Sequence, residues 1–275
     1  MKIAVDPERT RERRATLEQY LSAEVLRGDA FVCRHQQACK ASHDGEFYEG
    51  QLHHLGPGYD VSVDGTPLRV AVIGQEYGQS FRHVSLEARH RMILETGLSR
   101  RFKAEPGYRA RNPHMKGTTS ALRLIFGRET GADHTAEYLT VEDGQRMHLY
   151  ECFALVNYLL CSAVKAPSRR GCSTETMKRN CGEHFRHTLE ILEPSVVIVQ
   201  GRGFWTWVRQ AFDGLMTRDD VVYGGRIGGQ GVQIAAFTHP SATGISNWGA
   251  NDRTPYLQHV VRPALREIRR RMGLA

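Results

Sequence analysis

Three short segments of this 275-residue chain hold side chains that could act together on one substrate. Gly74-Gln75-Glu76-Tyr77-Gly78-Gln79 places a carboxylate, Glu76, beside an amide, Gln75. Asn157 puts a second amide inside an apolar run, and Thr238-His239-Pro240-Ser241 adds an imidazole and a hydroxyl. A carboxylate can stabilise a developing cation or orient an attacking water. A neutral imidazole can donate to an oxygen that is becoming anionic, and an amide offers a donor and an acceptor side by side. Singly these signals are weak. A lone histidine after a strand is most often structural, a lone asparagine is usually a turn or cap, and a loop carboxylate is usually solvated. Their weight comes from occurring together.

The elements around them supply that context. Leu68–Gly74, Phe153–Cys161, Ser195–Gln200 and Val232–Phe237 are short apolar runs rich in β-branched residues, the pattern of strands buried on both faces. Helical periodicity falls at 11–27, 85–95, 118–126, 174–192 and 255–272. Strands alternating with helices predict an α/β fold, a three-layer α/β/α sandwich around a mainly parallel four-stranded sheet. Ligands of such sheets bind beyond the carboxyl ends of the strands, where the three segments fall. The chain reads as one domain over residues 1–275, with an N-terminal helix and cysteine segment, residues 1–60, packed on it.

Gly-Gln-Glu-Tyr-Gly resembles the first motif of the uracil-DNA glycosylase superfamily, and His239-Pro240-Ser241 is similar to its second. Val156-Asn157-Tyr158-Leu159-Leu160-Cys161 resembles the Asn-x-x-x-Cys strand end of the superfamily's iron–sulfur branch (families four and five), and Glu193-Pro194 before SVVIVQG its Pro–strand–Gly segment. The match runs from about residue 30 to residue 245, and the order of the motifs carries the specificity. The resemblance implies an enzyme that flips a base out of DNA and hydrolyses its glycosidic bond, leaving an abasic site. Glu76, His239 and Gln75 would be catalytic. Asn157, Tyr77, Gly78 and His114 would meet the base, with Asn157 reading a pyrimidine edge and Phe102 and Tyr108 as other aromatic candidates. Ser241, Arg169, Arg170, Ile245 and Trp248 would meet DNA, Ile245 or Trp248 as a wedge pushed into the stack.

The chain departs from the family at informative places. In much of the iron–sulfur branch the acidic residue stands one position earlier, at Gln75 here. Where the most active uracil enzymes carry a tyrosine against C5 of the pyrimidine, this chain has Gly78. Uracil and a 5-modified pyrimidine, such as a hypermodified cytosine in phage DNA, therefore both remain as substrates, with roles in repair and in phage defence respectively. A non-catalytic DNA-binding protein on the same fold is the rival from another class.

Six cysteines bear on a cofactor: Cys33, Cys39, Cys152, Cys161, Cys172 and Cys181. The resemblance implies a 4Fe-4S cluster held by Cys33, Cys39, Cys161 and Cys181, with Cys172 as an alternate ligand and Cys152 in the core. Zinc and unligated buried thiols are the competing readings. A net charge of +7 suits a polyanionic partner, here DNA. No run is apolar enough to span a membrane and the charged N-terminus lacks a signal-peptide core, so a cytoplasmic, nucleoid-associated monomer is expected. The glycine-rich stretch 223–231 precedes a strand, which predicts a hairpin or DNA-facing loop and not a dinucleotide loop.

Overall fold

The computed structural model describes residues 1–78, 81–97, 108–165 and 170–274. The fold is mixed α/β, built on a seven-stranded mixed sheet. In chain order its strands are β1 (His54–Leu55), β2 (Val70–Gly74), β3 (Phe153–Asn157), β4 (Val196–Gln200), β5 (Asp213–Thr217), β6 (Val222–Ile227) and β7 (Gln230–Phe237). Their order across the sheet is β5-β6-β7-β4-β2-β3-β1. The longer helices are α1 (Pro7–Glu24), α2 (Leu86–Gly97), α3 (Pro113–Ile125), α4 (Glu175–Leu192) and α5 (Arg262–Arg271). The four strands expected from the apolar runs are those that pair in parallel, β7 with β4, β4 with β2, and β2 with β3. The expectation of four strands is therefore too small. β1 adds antiparallel at one edge, and β5 and β6 add antiparallel at the other.

The additional strands lacked a clear signal for physical reasons. β1 has only two residues, and β5 lies on an edge with most side chains exposed and no continuous apolar run. β6 and β7 form the hairpin expected from the glycine-rich stretch. Its two-residue turn is Gly228-Gly229, both with positive φ (53° and 82°), as a type I′ turn requires.

Period-two alternation in the parallel strands feeds two separate apolar clusters. Ala71, Ile73, Val156, Val197 and Ala236 point into one, with Leu17 and Leu21 of α1 and Phe185 and Leu189 of α4. Val70, Val72, Leu155, Ile198 and Phe237 point into the other, with Leu122 of α3 and Leu265 and Ile268 of α5. Each fully buried aliphatic side chain of this kind contributes ~1.5–3 kcal/mol. Helix α1 starts four residues earlier than its periodicity suggests, because Asp6 caps it and Pro7 occupies its first turn. A π-helical segment, Leu257–Val261, leads into α5 just ahead of Pro263, whose missing N–H cannot complete the regular ladder.

The second apolar run does not continue as a strand to Cys161. β3 ends at Asn157, the next residues follow the Gly74–Gln75 backbone through the Tyr158 and Leu159 amides, and Ser162–Lys165 joins a separate sheet with Glu46–Tyr48 and Arg170–Gly171. That break is what turns Cys161 toward the N-terminal segment.

One buried ionic cluster braces the side of α3. Glu137 is fully buried and accepts from Arg111, from Arg123 at 2.9 Å and from His148 Nε2 at 3.1 Å. These donors hold its carboxyl down to about 2, against the cost of burial. Glu137→Gln leaves two buried guanidinium groups without their carboxylate, a change that costs about 3–5 kcal/mol. The expected outcome is a fall in thermal midpoint on the order of 10 °C, read by circular dichroism. An unchanged midpoint would show that the cluster does not brace the fold.

Candidate active site

A cleft of about 860 Å³ opens at the carboxyl ends of the parallel strands. Gln75, Glu76, Tyr77 and Gly78 line it from the loop after β2, Asn157 from the end of β3, Gln200 from the end of β4, and His239 and Ser241 from the loop after β7. His114, in the first turn of α3, lines it as well. The three segments, spread over about 160 residues of sequence, thus meet in one place.

His239 is fixed in one tautomer. The Ser241 main-chain N–H donates to its Nδ1 at 3.2 Å, and the Ser241 hydroxyl lies 2.7 Å from the same atom. An N–H can only donate, so Nδ1 is the acceptor and the ring proton sits on Nε2. Partial burial in the cleft lowers the pKa of His239, although the residue remains exposed to solvent. The ring is therefore neutral near pH 7 and presents an Nε2–H donor. Pro240 locks the turn by packing where a Cβ on Gly117 or Gly249 would have to go, 2.7 and 2.9 Å from it. Ser241, expected to meet DNA, lines the cleft and has both its N–H and its hydroxyl on His239.

Glu76 lies against Gly171, with Oε1 at 3.3 Å from Gln75 Nε2. Its Oε2 is buried without a hydrogen-bond partner among the described residues. Burial pushes its carboxyl up to about 7, a value suited to accepting a proton at neutral pH. Gln75 Nε2 also donates to Ser173 Oγ at 2.7 Å, so the amide steadies the carboxyl and ties the loop to the segment before α4.

Asn157 is nearly fully buried, and its Nδ2 donates to the main-chain carbonyls of Gln51 and Leu52 at 3.2 and 3.3 Å. Two carbonyls require the nitrogen on their side, which leaves Oδ1 for a ligand. The expectation of a paired donor and acceptor is corrected to a single acceptor.

The remaining expected residues divide. One face of His114 is covered by His239, centroid to centroid 5.7 Å, and burial lowers its pKa to about 3, so the ring is neutral. Tyr77 lies under the Arg89 guanidinium at 3.9 Å and donates to Met92 Sδ. Gly78 has a left-handed φ of +69°, and nothing lies within 4 Å of the place a Cβ would take. Its glycine thus suits the backbone as well as the open space. Ile245 is 84% exposed in the turn after the His-Pro-Ser segment, the position a wedge would need. Trp248 does not fit that part. It is fully buried, donates from its indole to Thr238 O at 2.7 Å and packs on Phe237, so it is a core residue. Tyr108 is likewise buried, with its hydroxyl on Ser120. Arg169, Gln79 and Phe102 lie outside the described residues. Arg170 belongs to the short strand Arg170–Gly171, and its side chain also lies outside them.

The cysteines resolve into one group and two outsiders. Cys33, Cys39, Cys161 and Cys181 surround a single small space between the N-terminal segment, the end of β3 and α4. They lie close enough together to raise one another's pKa values, on top of the rise from burial. The alternate ligand Cys172 is not part of this group and sits near Gly45, while Cys152 is fully buried core. Among the described residues, no three of these sulfurs come within 4.8 Å of one another. Four thiolates on one zinc ion stand about 3.8 Å apart, given Zn–S bonds of about 2.3 Å. The atoms of His134, Glu137 and His148 do come within 4.8 Å of one another, but two arginines already hold the Glu137 carboxylate and oppose a cation there.

Sequence reasoning did not single out Arg89, Gln200 or Asn112, all of which line the cleft. Only the richness of 79–113 in arginine hinted at the first. No helix among the described residues is long and apolar enough to cross a membrane. No known family model matches the chain, and no curated protein matches it.

Proposed function

We propose that the chain is a DNA glycosylase of the uracil-DNA glycosylase type, with helices layered on both faces of its sheet, that hydrolyses the glycosidic bond of a flipped-out pyrimidine. The observation that carries this reading is the convergence of Glu76, Asn157 and a tautomer-locked His239 in one cleft. In the step, the oxygen of water bonds to C1′ while the C1′–N bond breaks. Glu76 takes the proton from water and faces the positive charge on the sugar. His239 Nε2–H donates to the base oxygen as the base leaves as an anion, and Asn157 Oδ1 accepts from the base edge. DNA is the partner, which the net charge of +7 favours.

The size of the cleft and the open Gly78 position favour a 5-modified pyrimidine over uracil. Cys33, Cys39, Cys161 and Cys181 would hold a 4Fe-4S cluster, whose bonds would join the N-terminal segment to β3 and α4. Matched duplex and single-stranded oligonucleotides carrying uracil, thymine, or cytosines with 5-substituents of increasing size test the substrate assignment. Abasic sites are revealed by alkaline cleavage. Release favouring the larger substituents is expected, whereas release of uracil alone would assign the cleft to ordinary repair.

The state of Glu76 sets the pH dependence. His239 becomes neutral below its ordinary range, so the rising limb belongs to Glu76, which ionises at about 7. Base release is expected to climb through pH 7 and then level, with that limb absent in Glu76→Gln. A flat profile between about pH 6 and 8 would remove Glu76 as the proton acceptor.

A further inference from the structure

Four arginines are buried in the described structure: Arg13, Arg89, Arg111 and Arg123. Three of them face carboxylates. Arg13 pairs with Asp60 and Glu193, and Arg111 and Arg123 pair with Glu137. Arg89, 7% exposed on α2, has no such partner among the described residues, and its Nε is buried without an acceptor. It is also the member of the four that lines the cleft, among Tyr77, Met92, Ile93 and Thr96. The Tyr77 ring beneath the guanidinium at 3.9 Å compensates part of the lost hydration. Burial still lowers its pKa to about 10, the mark of a charge that lacks a counter-ion. A guanidinium is a rigid fork of donors matched to carboxylate and phosphate oxygens, and it stays charged at neutral pH even here.

We propose that Arg89 is an anion-binding residue of the cleft, taking an oxyanion, carboxylate or phosphate, that the ligand carries into the space beneath α2. The inference deepens the reading of the cleft as a nucleotide site and rests on it. Two sources offer that chemistry, a substituent on the base and the nucleotide's own phosphate. The near-complete burial of Arg89, 7% exposed, favours the first.

The test monitors the Arg89 Nε–H resonance in the isotopically labelled native chain, assigned by its loss in Arg89→Met. Inorganic phosphate is titrated first. Then come 5-carboxy-2′-deoxycytidine, with an oxyanion on the base only, thymidine 5′-monophosphate, with one on the phosphate only, and thymidine, with neither. Phosphate and at least one of the two anionic nucleosides are expected to shift the resonance to saturation, and thymidine is not. The one that responds identifies the source. Isothermal titration calorimetry, which does not need that resonance, reads the variants: Arg89→Met is expected to weaken the responding ligand about 10- to 100-fold, with Arg89→Lys in between. A resonance unmoved by phosphate and by both anions, or an affinity unchanged in Arg89→Met, would overturn the proposal. The readout does not depend on catalysis. Oxyanion binding without any base release leaves Arg89 assigned and removes the glycosylase reading.

Discussion

On the proposed function, His239→Ala is expected to lower single-turnover base release about 100- to 1000-fold while leaving DNA affinity nearly unchanged, the loss that follows when a donor aimed at developing negative charge is removed. The geometry behind this is the Ser241 N–H on Nδ1, which commits the ring proton to Nε2. Ser241→Pro removes that N–H and also the hydroxyl at 2.7 Å, and frees the tautomer, so it should reproduce part of the same loss without touching the ring. Glu76→Gln should reduce release comparably, yet raise stability. A carboxyl raised to about 7 binds its proton more tightly in the folded than in the unfolded chain. Stability from that proton is present at low pH and is lost as pH rises from the ordinary carboxyl range through 7. Above pH 7 the glutamine variant should therefore unfold at a higher temperature than the native chain. A variant that is both less active and less stable would point to a structural role for Glu76.

The second large effect concerns the four grouped cysteines. Protein purified without oxygen is expected to be brown, with broad absorbance near 400 nm, as thiolate-bound iron–sulfur clusters are. Cys161→Ser or Cys181→Ser should bleach it and lower its thermal midpoint sharply, because ligand bonds that form only in the folded chain contribute directly to folding. Cys172→Ser and Cys152→Ser should keep the colour, since neither sulfur borders the shared space. Colourless native protein with stoichiometric zinc would remove the cluster, and loss of colour in Cys172→Ser would reassign a ligand.

The parallel strands, and the residues just beyond them, were more legible in the chain than the edges of the sheet. The apolar runs 68–74, 153–161, 195–200 and 232–237 marked the parallel strands, the second of them too long by four residues, because burial on both faces leaves an unbroken β-branched signature. Residues just past such a strand lie at its carboxyl end, and that rule brought Glu76, Asn157 and His239 together. Edge strands carry no such signature, so β1 and β5 stayed hidden. Sequence spacing alone could not separate Cys172 from Cys161, because both stand near the right interval. The turn of the backbone after Asn157 sets Cys161, and not Cys172, beside Cys33, Cys39 and Cys181. Trp248 shows the converse failure. A large aromatic side chain beside a functional loop reads equally as wedge or core, and only the Thr238 carbonyl waiting for its indole settles it. Arg89 was invisible because an arginine looks alike in sequence whether its partner is a carboxylate, water or a ligand.

The most direct test of the cleft as a base-releasing site is mass analysis of the products when native chain, in excess, meets a duplex carrying one 5-modified cytosine. A free modified base and an intact strand with one abasic site are expected in equal amounts, both lost in His239→Ala. Tight binding of the duplex with every base still attached, across the whole substituent series, would contradict base release and leave a DNA-binding protein in its place.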